Sequence, residues 1–154
     1  MVIWRLCKSR YAKERLSGEG ARLYGGRWSY PGIVVVYTAS TLSLAVLELL
    51  VHLDYELAPS DMVRIRIEVP SSVSIERVRI ESLPKNWRAY PSPESLQKIG
   101  SSWAAEKRSL LLEIPSAVIP EENNYLVNPV HPEFKELKVE RPQKFKFDSR
   151  LLKS

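Results

Sequence analysis

Residues 25–54 read GGRWSYPGIVVVYTAS followed by TLSLAVLELLVHLD: a glycine pair, an arginine and a tryptophan, a β-branched run, then an apolar helix carrying one acid. The run IVVVYTA, 33–39, is bounded by Pro31-Gly32 and Ser40-Thr41, which predicts a buried strand. Ser40 or Thr41 can cap the helix that follows, predicted from Leu42 to Leu53. Leu44, Ala45, Val46, Leu47, Leu49, Leu50 and Val51 make that helix apolar on every side, which predicts burial all round. Glu48 sits in its centre. A carboxylate there must be paired, hydrogen-bonded or protonated, because an isolated buried charge costs several kcal/mol. Two readings follow: an ion pair that ties helix to loop, or a functional acid facing a cleft.

Working outward, VIWRLCK reads as a first strand, and the glycine-punctuated segment after it as a long loop with one helical turn. MVRIRIEVP and VSIERVRIES alternate apolar and charged residues, as half-buried strands do. SLLLEIPS is a further strand and KVERPQKFKF the last, its KFKF alternating with one charged face. Pro93 to about Ile99 predicts a short helix ended near Gly100, and PEENNYLVNPVHPEF reads as a loop. About six strands and three short helices without regular βαβ alternation predict an α+β fold, in one domain over residues 1–154.

Composition is that of an ordinary globular chain, 44% hydrophobic and 27% charged. One cysteine, Cys7, excludes an internal disulfide framework and a multi-cysteine zinc site; it reads as a small half-buried side chain. With two histidines, His52 and His131, no metal site is expected. No stretch nears the ~18 apolar residues of a spanning helix, and the N-terminus lacks a secretory apolar core, so the cytoplasm is the expected compartment. The net charge is +5, and residues 138–154 alone hold six Lys/Arg against two acids. Such a tail suits an acidic partner or nucleic acid, but its basic residues do not interleave with the tryptophans, which disfavours a nucleic-acid module.

Arg27 follows two glycines that permit close backbone approach; it can grip a phosphate or carboxylate, or pack on Trp28 as a cation–π pair. GGR lacks the ending of a P-loop and precedes a strand. Tyr37 ends the apolar run beside the helix of Glu48, as a core tyrosine or a site residue. Ser116 follows a buried strand and a proline without a GxSxG elbow, so it suits a pocket hydrogen bond better than a nucleophile. Trp28 is a core side chain or a stacking surface, and His52 a surface group or a partner to Glu48.

GGRW, a valine-rich strand ending in Tyr, an apolar helix with one Glu, an IPS segment and the loop NYLVNPVHP together resemble the RES domain family, from Trp4 to about Phe134. The family's Arg, Glu and Ser match Arg27, Glu48 and Ser116, and its tyrosine matches Tyr37. The residue after GGRW, often Asn in the family, is Ser29 here. The resemblance implies an ADP-ribosyltransferase-like fold around an NAD cleft. It implies a bacterial toxin neutralised by an Xre-type, DNA-binding antitoxin in a hetero-oligomer. NAD would be the substrate, its nicotinamide released by hydrolysis or phosphorolysis, or its ADP-ribose transferred to a protein. On that reading Glu48 stabilises the ribose cation, Arg27 fixes a phosphate, Tyr37 stacks near nicotinamide, Ser116 bonds the ribose or amide, and Trp28 adds binding surface.

Overall fold

A computed structural model describes residues 1–53 and 60–152. The elements in chain order are β1 (Val2–Lys8), α1 (Glu19–Tyr24), β2 (Val36–Ala39), α2 (Leu42–Leu50), β3 (Met62–Glu68), β4 (Ile75–Arg77), α3 (Glu94–Glu106), β5 (Leu111–Pro115), β6 (Asn123–Val127), β7 (Lys138–Val139) and β8 (Gln143–Phe145). The strands form one sheet in the order β4-β5-β6-β2-β1-β3-β7, with β8 also paired to β3. Every pairing is antiparallel except β4 with β5. The α+β expectation holds, with three α-helices among the described residues.

The sheet is tight on both flanks and open in the middle. β1 and β3 register over seven pairs, Val2↔Glu68 to Lys8↔Met62. β1 and β2 meet at one, Trp4↔Ala39. Where the ladder parts, backbone groups need other partners, and the Arg5 guanidinium supplies one by donating Nη1 to the Tyr37 carbonyl at 2.9 Å. One core cluster packs Ile3, Ile65 and Ile67 against Val36, Leu111 and Val127. A second gathers Trp28, Trp87 and Trp103 with Leu96, Leu112 and Leu126.

Several expectations need correction. The described residues form eight strands rather than about six, because Pro142 divides the last predicted strand into β7 and β8, and because β6 lies within the segment read as a loop. Asn123-Asn124 and Pro129 carry turn chemistry, yet Tyr125, Leu126 and Val127 are buried between β5 and β2. The β-branched run becomes strand only from Val36. α3 does not end near Gly100 but continues to Glu106. Gly100 is where the helix meets the Trp28 carbonyl: a Cβ there would lie 2.0 Å from that oxygen.

α2 is capped as expected, by Thr41 Oγ1 accepting from the Leu44 amide at 3.0 Å. It is not buried all round. Leu44 and Ala45 pack beside Ala39, and Leu50 beside Met62 and Phe147. Leu47 and Val51 face solvent, 37% and 57% exposed, and Glu48 lies at the boundary. The tail strand alternates as predicted: Phe145 and Phe147 meet edge to face at 5.2 Å over Leu50 and Met62, while Lys144 and Lys146 stay in water. Residues 153–154 of that tail lie outside those described.

Candidate functional site

The site begins with the GGRWS turn. Gly25 has φ +68°, a backbone that favours glycine, and a Cβ there would press to 2.9 Å on the Ser29 carbonyl. Gly26 and Ser29 bond each other's backbone, closing the turn over Arg27 and Trp28. α3 holds it from behind. Gln97 donates to the Gly26 carbonyl at 3.0 Å, and Ser101 Oγ accepts from the Tyr30 amide at 2.9 Å. The Tyr37 ring lies against Gly26, where a Cβ would come within 2.5 Å of its hydroxyl oxygen. That hydroxyl accepts from the Trp28 amide at 3.0 Å and shares a 3.1 Å hydrogen bond with Ser29 Oγ. Ser29, where the family often has Asn, thus bonds Tyr37. Burial raises the Tyr37 pKa, so the phenol stays neutral at physiological pH.

Glu48 approaches from α2. Ser116 Oγ donates to its Oε1 at 2.6 Å, and Asn124 Nδ2 donates to the same oxygen at 2.5 Å. Ser116 Oγ in turn accepts from the amides of Val118 and Ile119 at 3.1 and 2.9 Å. Two backbone donors polarise the hydroxyl, which fixes the carboxylate. Oε2 has no hydrogen-bond partner among the described residues. Glu48, Tyr37, Arg27 and Asn124 line a cavity of about 570 Å³, within the ordinary range for a small-molecule site. A smaller cavity, about 170 Å³, shares Glu48, Tyr37 and Asn124 and reaches Arg5 through the gap between β1 and β2.

Arg27 does not pair directly with Glu48. Its Nη1 donates to the Trp87 and Ala89 carbonyls at 2.9 and 3.1 Å, leaving Nε and Nη2 without partners among the described residues. Burial lowers its pKa, and the charge of Glu48 opposes that. Arg27 therefore remains a cation within the electrostatic reach of the acid. Trp28 has its side chain in the core, 2% exposed, while contributing to the cavity wall. Ser116 is fully buried and stands behind Glu48 rather than on the wall. His52 is exposed at the rim.

Two residues of this constellation escaped the sequence reading. Asn124 was hidden by taking β6 for a loop; its Oδ1 is buried without a partner among the described residues. Arg5 carries a legible signal: in VIWRLCK the period of two puts it on the face of Ile3 and Cys7, a cation on the core side. Its Nε is buried without a partner among the described residues, and burial lowers its pKa. An arginine still titrates far above neutrality, so the site holds a buried positive charge beside Glu48's cavity.

A cavity of about 640 Å³ lies elsewhere, between β3 and β8. Among the described residues its charged lining is Asp61, Lys144 and Lys146. Among the described residues no group of three or more His, Cys, Asp or Glu gathers to hold a metal ion. None of their helices is long and apolar enough to cross a membrane.

Comparison with known proteins matches residues 2–148 to the RES domain model. A Sphingobium sp. (strain YBL2) protein named Prs ADP-ribosylating toxin is 39% identical over 154 residues, 97% of this chain and 96% of its own length. A Photorhabdus laumondii protein named Toxin Res is 39% identical over 155 residues, 100% of this chain and 99% of its own. In structure, the chain is similar to one from the Mycobacterium tuberculosis MbcT–MbcA toxin–antitoxin complex, with a TM-score of 0.72 and 17% identity over 94% of this chain and 83% of that one. That likeness shows the fold alone: this chain and that one share their arrangement of strands and helices.

Proposed function

The chain belongs to the RES domain family and is an enzyme of it, and on that premise we propose that it is the toxin of a toxin–antitoxin pair that cleaves the nicotinamide–ribose bond of NAD. The observation that carries this reading is Glu48, a carboxylate with one oxygen held by Ser116 and Asn124 and the other without a partner among the described residues, on the wall of a cavity of about 570 Å³.

The chemistry fits one acid. When the bond between ribose C1′ and the nicotinamide nitrogen breaks, its electron pair passes to the ring, which leaves neutral. The ribose becomes oxocarbenium-like, as in glycoside hydrolysis. The leaving group starts positively charged and needs no general acid, so a second carboxylate is not required. Glu48 Oε2 beside the ribose stabilises the growing cation, a contribution of several kcal/mol in a site poor in water. Tyr37 and Ser29 shape the wall beside it. Arg27, through Nε and Nη2, and Arg5, across the gap, are placed to hold anionic groups of the substrate. Ser116 acts through Glu48 as a positioning residue rather than by bonding the ribose itself.

The cation is then captured by water, which loses a proton, or by phosphate or a protein side chain. The relative named as an ADP-ribosylating toxin favours transfer to a protein as the second reading. An antitoxin partner accords with the solved complex of the structural neighbour, and an Xre-type partner with the family resemblance. Mass spectrometry of the products from NAD, with and without phosphate and with a cell lysate, separates the acceptors. Free ADP-ribose means hydrolysis, a phosphorylated ADP-ribose means phosphorolysis, and a protein heavier by one ADP-ribose means transfer. Intact NAD in all three mixtures would overturn both readings.

A further inference from the structure

Two phenol rings stand in water at the mouth of the Glu48 cavity. Tyr24 is 83% exposed and Tyr90 87%, and both line the cavity wall. Their positions are set by backbone. Tyr24 is the last residue of α1, and the chain turns immediately after it through Gly25, whose amide bonds the Ala21 carbonyl at 2.7 Å. Tyr90 follows Ala89, whose carbonyl, with that of Trp87, accepts from Arg27. Arg27 therefore ties the Tyr24 turn to the Tyr90 loop while its Nε and Nη2 remain without partners among the described residues. Two aromatic faces joined through an arginine present what a nucleotide needs: π-surface for a base and a planar fork for its phosphates.

The polarity of the cavity decides which base. Glu48 is held from the inside by the fully buried Ser116, so the bond to be broken, and the nicotinamide, belong at the inner end. The adenine then lies at the mouth. Resting on the NAD reading above, we propose that Tyr24 and Tyr90 form the stacking platform for the adenine ring, with Arg27 on the pyrophosphate between the platform and Glu48. The platform makes adenine dinucleotides, rather than any N-ribosyl nicotinamide, the substrate class.

The test is calorimetric titration of ADP-ribose, which has the adenine and pyrophosphate but no bond to cleave, into the parent, Tyr24→Ala, Tyr90→Ala and Tyr90→Phe. The alanine variants should each bind about tenfold more weakly, the size of one base–aromatic stack, and Tyr90→Phe close to the parent. In NAD turnover the same loss should appear in KM rather than kcat. Parent affinity in both alanine variants overturns the platform, as does failure of the parent to bind ADP-ribose, or a Tyr90→Phe variant as weak as Tyr90→Ala. A parent that binds ADP-ribose with this pattern yet releases no nicotinamide sinks the cleavage reading while supporting the platform.

Discussion

Replacing Ser116 by alanine removes the 2.6 Å donor to Glu48 and leaves the Val118 and Ile119 amides without their acceptor. A carboxylate free to swing by about 1 Å is expected to cost on the order of 10²-fold in kcat, with KM for NAD little changed. A rise in KM at constant kcat would instead mean that Ser116 touches substrate. At this scale the sequence was informative where a residue type contradicts its surroundings. Glu48 among leucines stood out, and the reason is now visible: its neighbours are apolar because α2 packs on one side, while the acid lies at the edge of that packing. Arg5 in an apolar strand broke the pattern in the same way and was readable. Ser116 was expected to line the pocket, whereas it stands behind Glu48, and no spacing rule could show that it bonds an acid 68 residues away. Asn124 was not legible, because Asn pairs are commoner in turns than in strands.

Gly100 shows how tertiary packing overrides local preference in an element. In an exposed helix interior, Gly→Ala stabilises by about 1 kcal/mol. Here the added Cβ would meet the Trp28 backbone carbonyl at 2.0 Å. Gly100→Ala is therefore expected to destabilise by roughly 1–3 kcal/mol, lowering Tm by about 2–4 °C for each kcal/mol in a chain of this size. A raised Tm by calorimetry would contradict the close contact. The same packing explains why α3 was cut short in the sequence reading: glycine signals a helix end only when nothing else requires it. β6 was lost for a related reason. Its apolar half is three residues long, too short to show a period, and it is a strand because β5 and β2 offer it ladders on both sides. β1, β3 and β5 were legible, since their alternation or apolar runs extend over most of their length.

Across the whole molecule, the C-terminal segment is part of the fold. Phe147 is 6% exposed against Leu50 and Met62, and β7 and β8 both pair with β3. Phe147→Ala is expected to cost about 3–5 kcal/mol, a large part of the roughly 5–15 kcal/mol of a typical domain. Deleting residues 138–154 should abolish folding along with any partner binding. A truncated chain that melts cooperatively and still cleaves NAD would show that the strands are dispensable and would return the basic tail to the role of a docking surface. The α+β class and the Arg27, Tyr37 and Glu48 grouping were legible at this scale. The gap between β1 and β2, which opens the sheet to Arg5, was not, because it depends on a register that no single strand records.

The central claim is that Glu48, positioned by Ser116 and Asn124, drives cleavage of the nicotinamide–ribose bond. The measurement that tests it most directly is nicotinamide release from NAD by the purified, partner-free chain and by Glu48→Gln, with the melting temperature of each recorded. The account predicts release by the parent and a loss of about 10³-fold or more in the variant, with both proteins folded. A folded Glu48→Gln variant that releases nicotinamide at the parent's rate would contradict it.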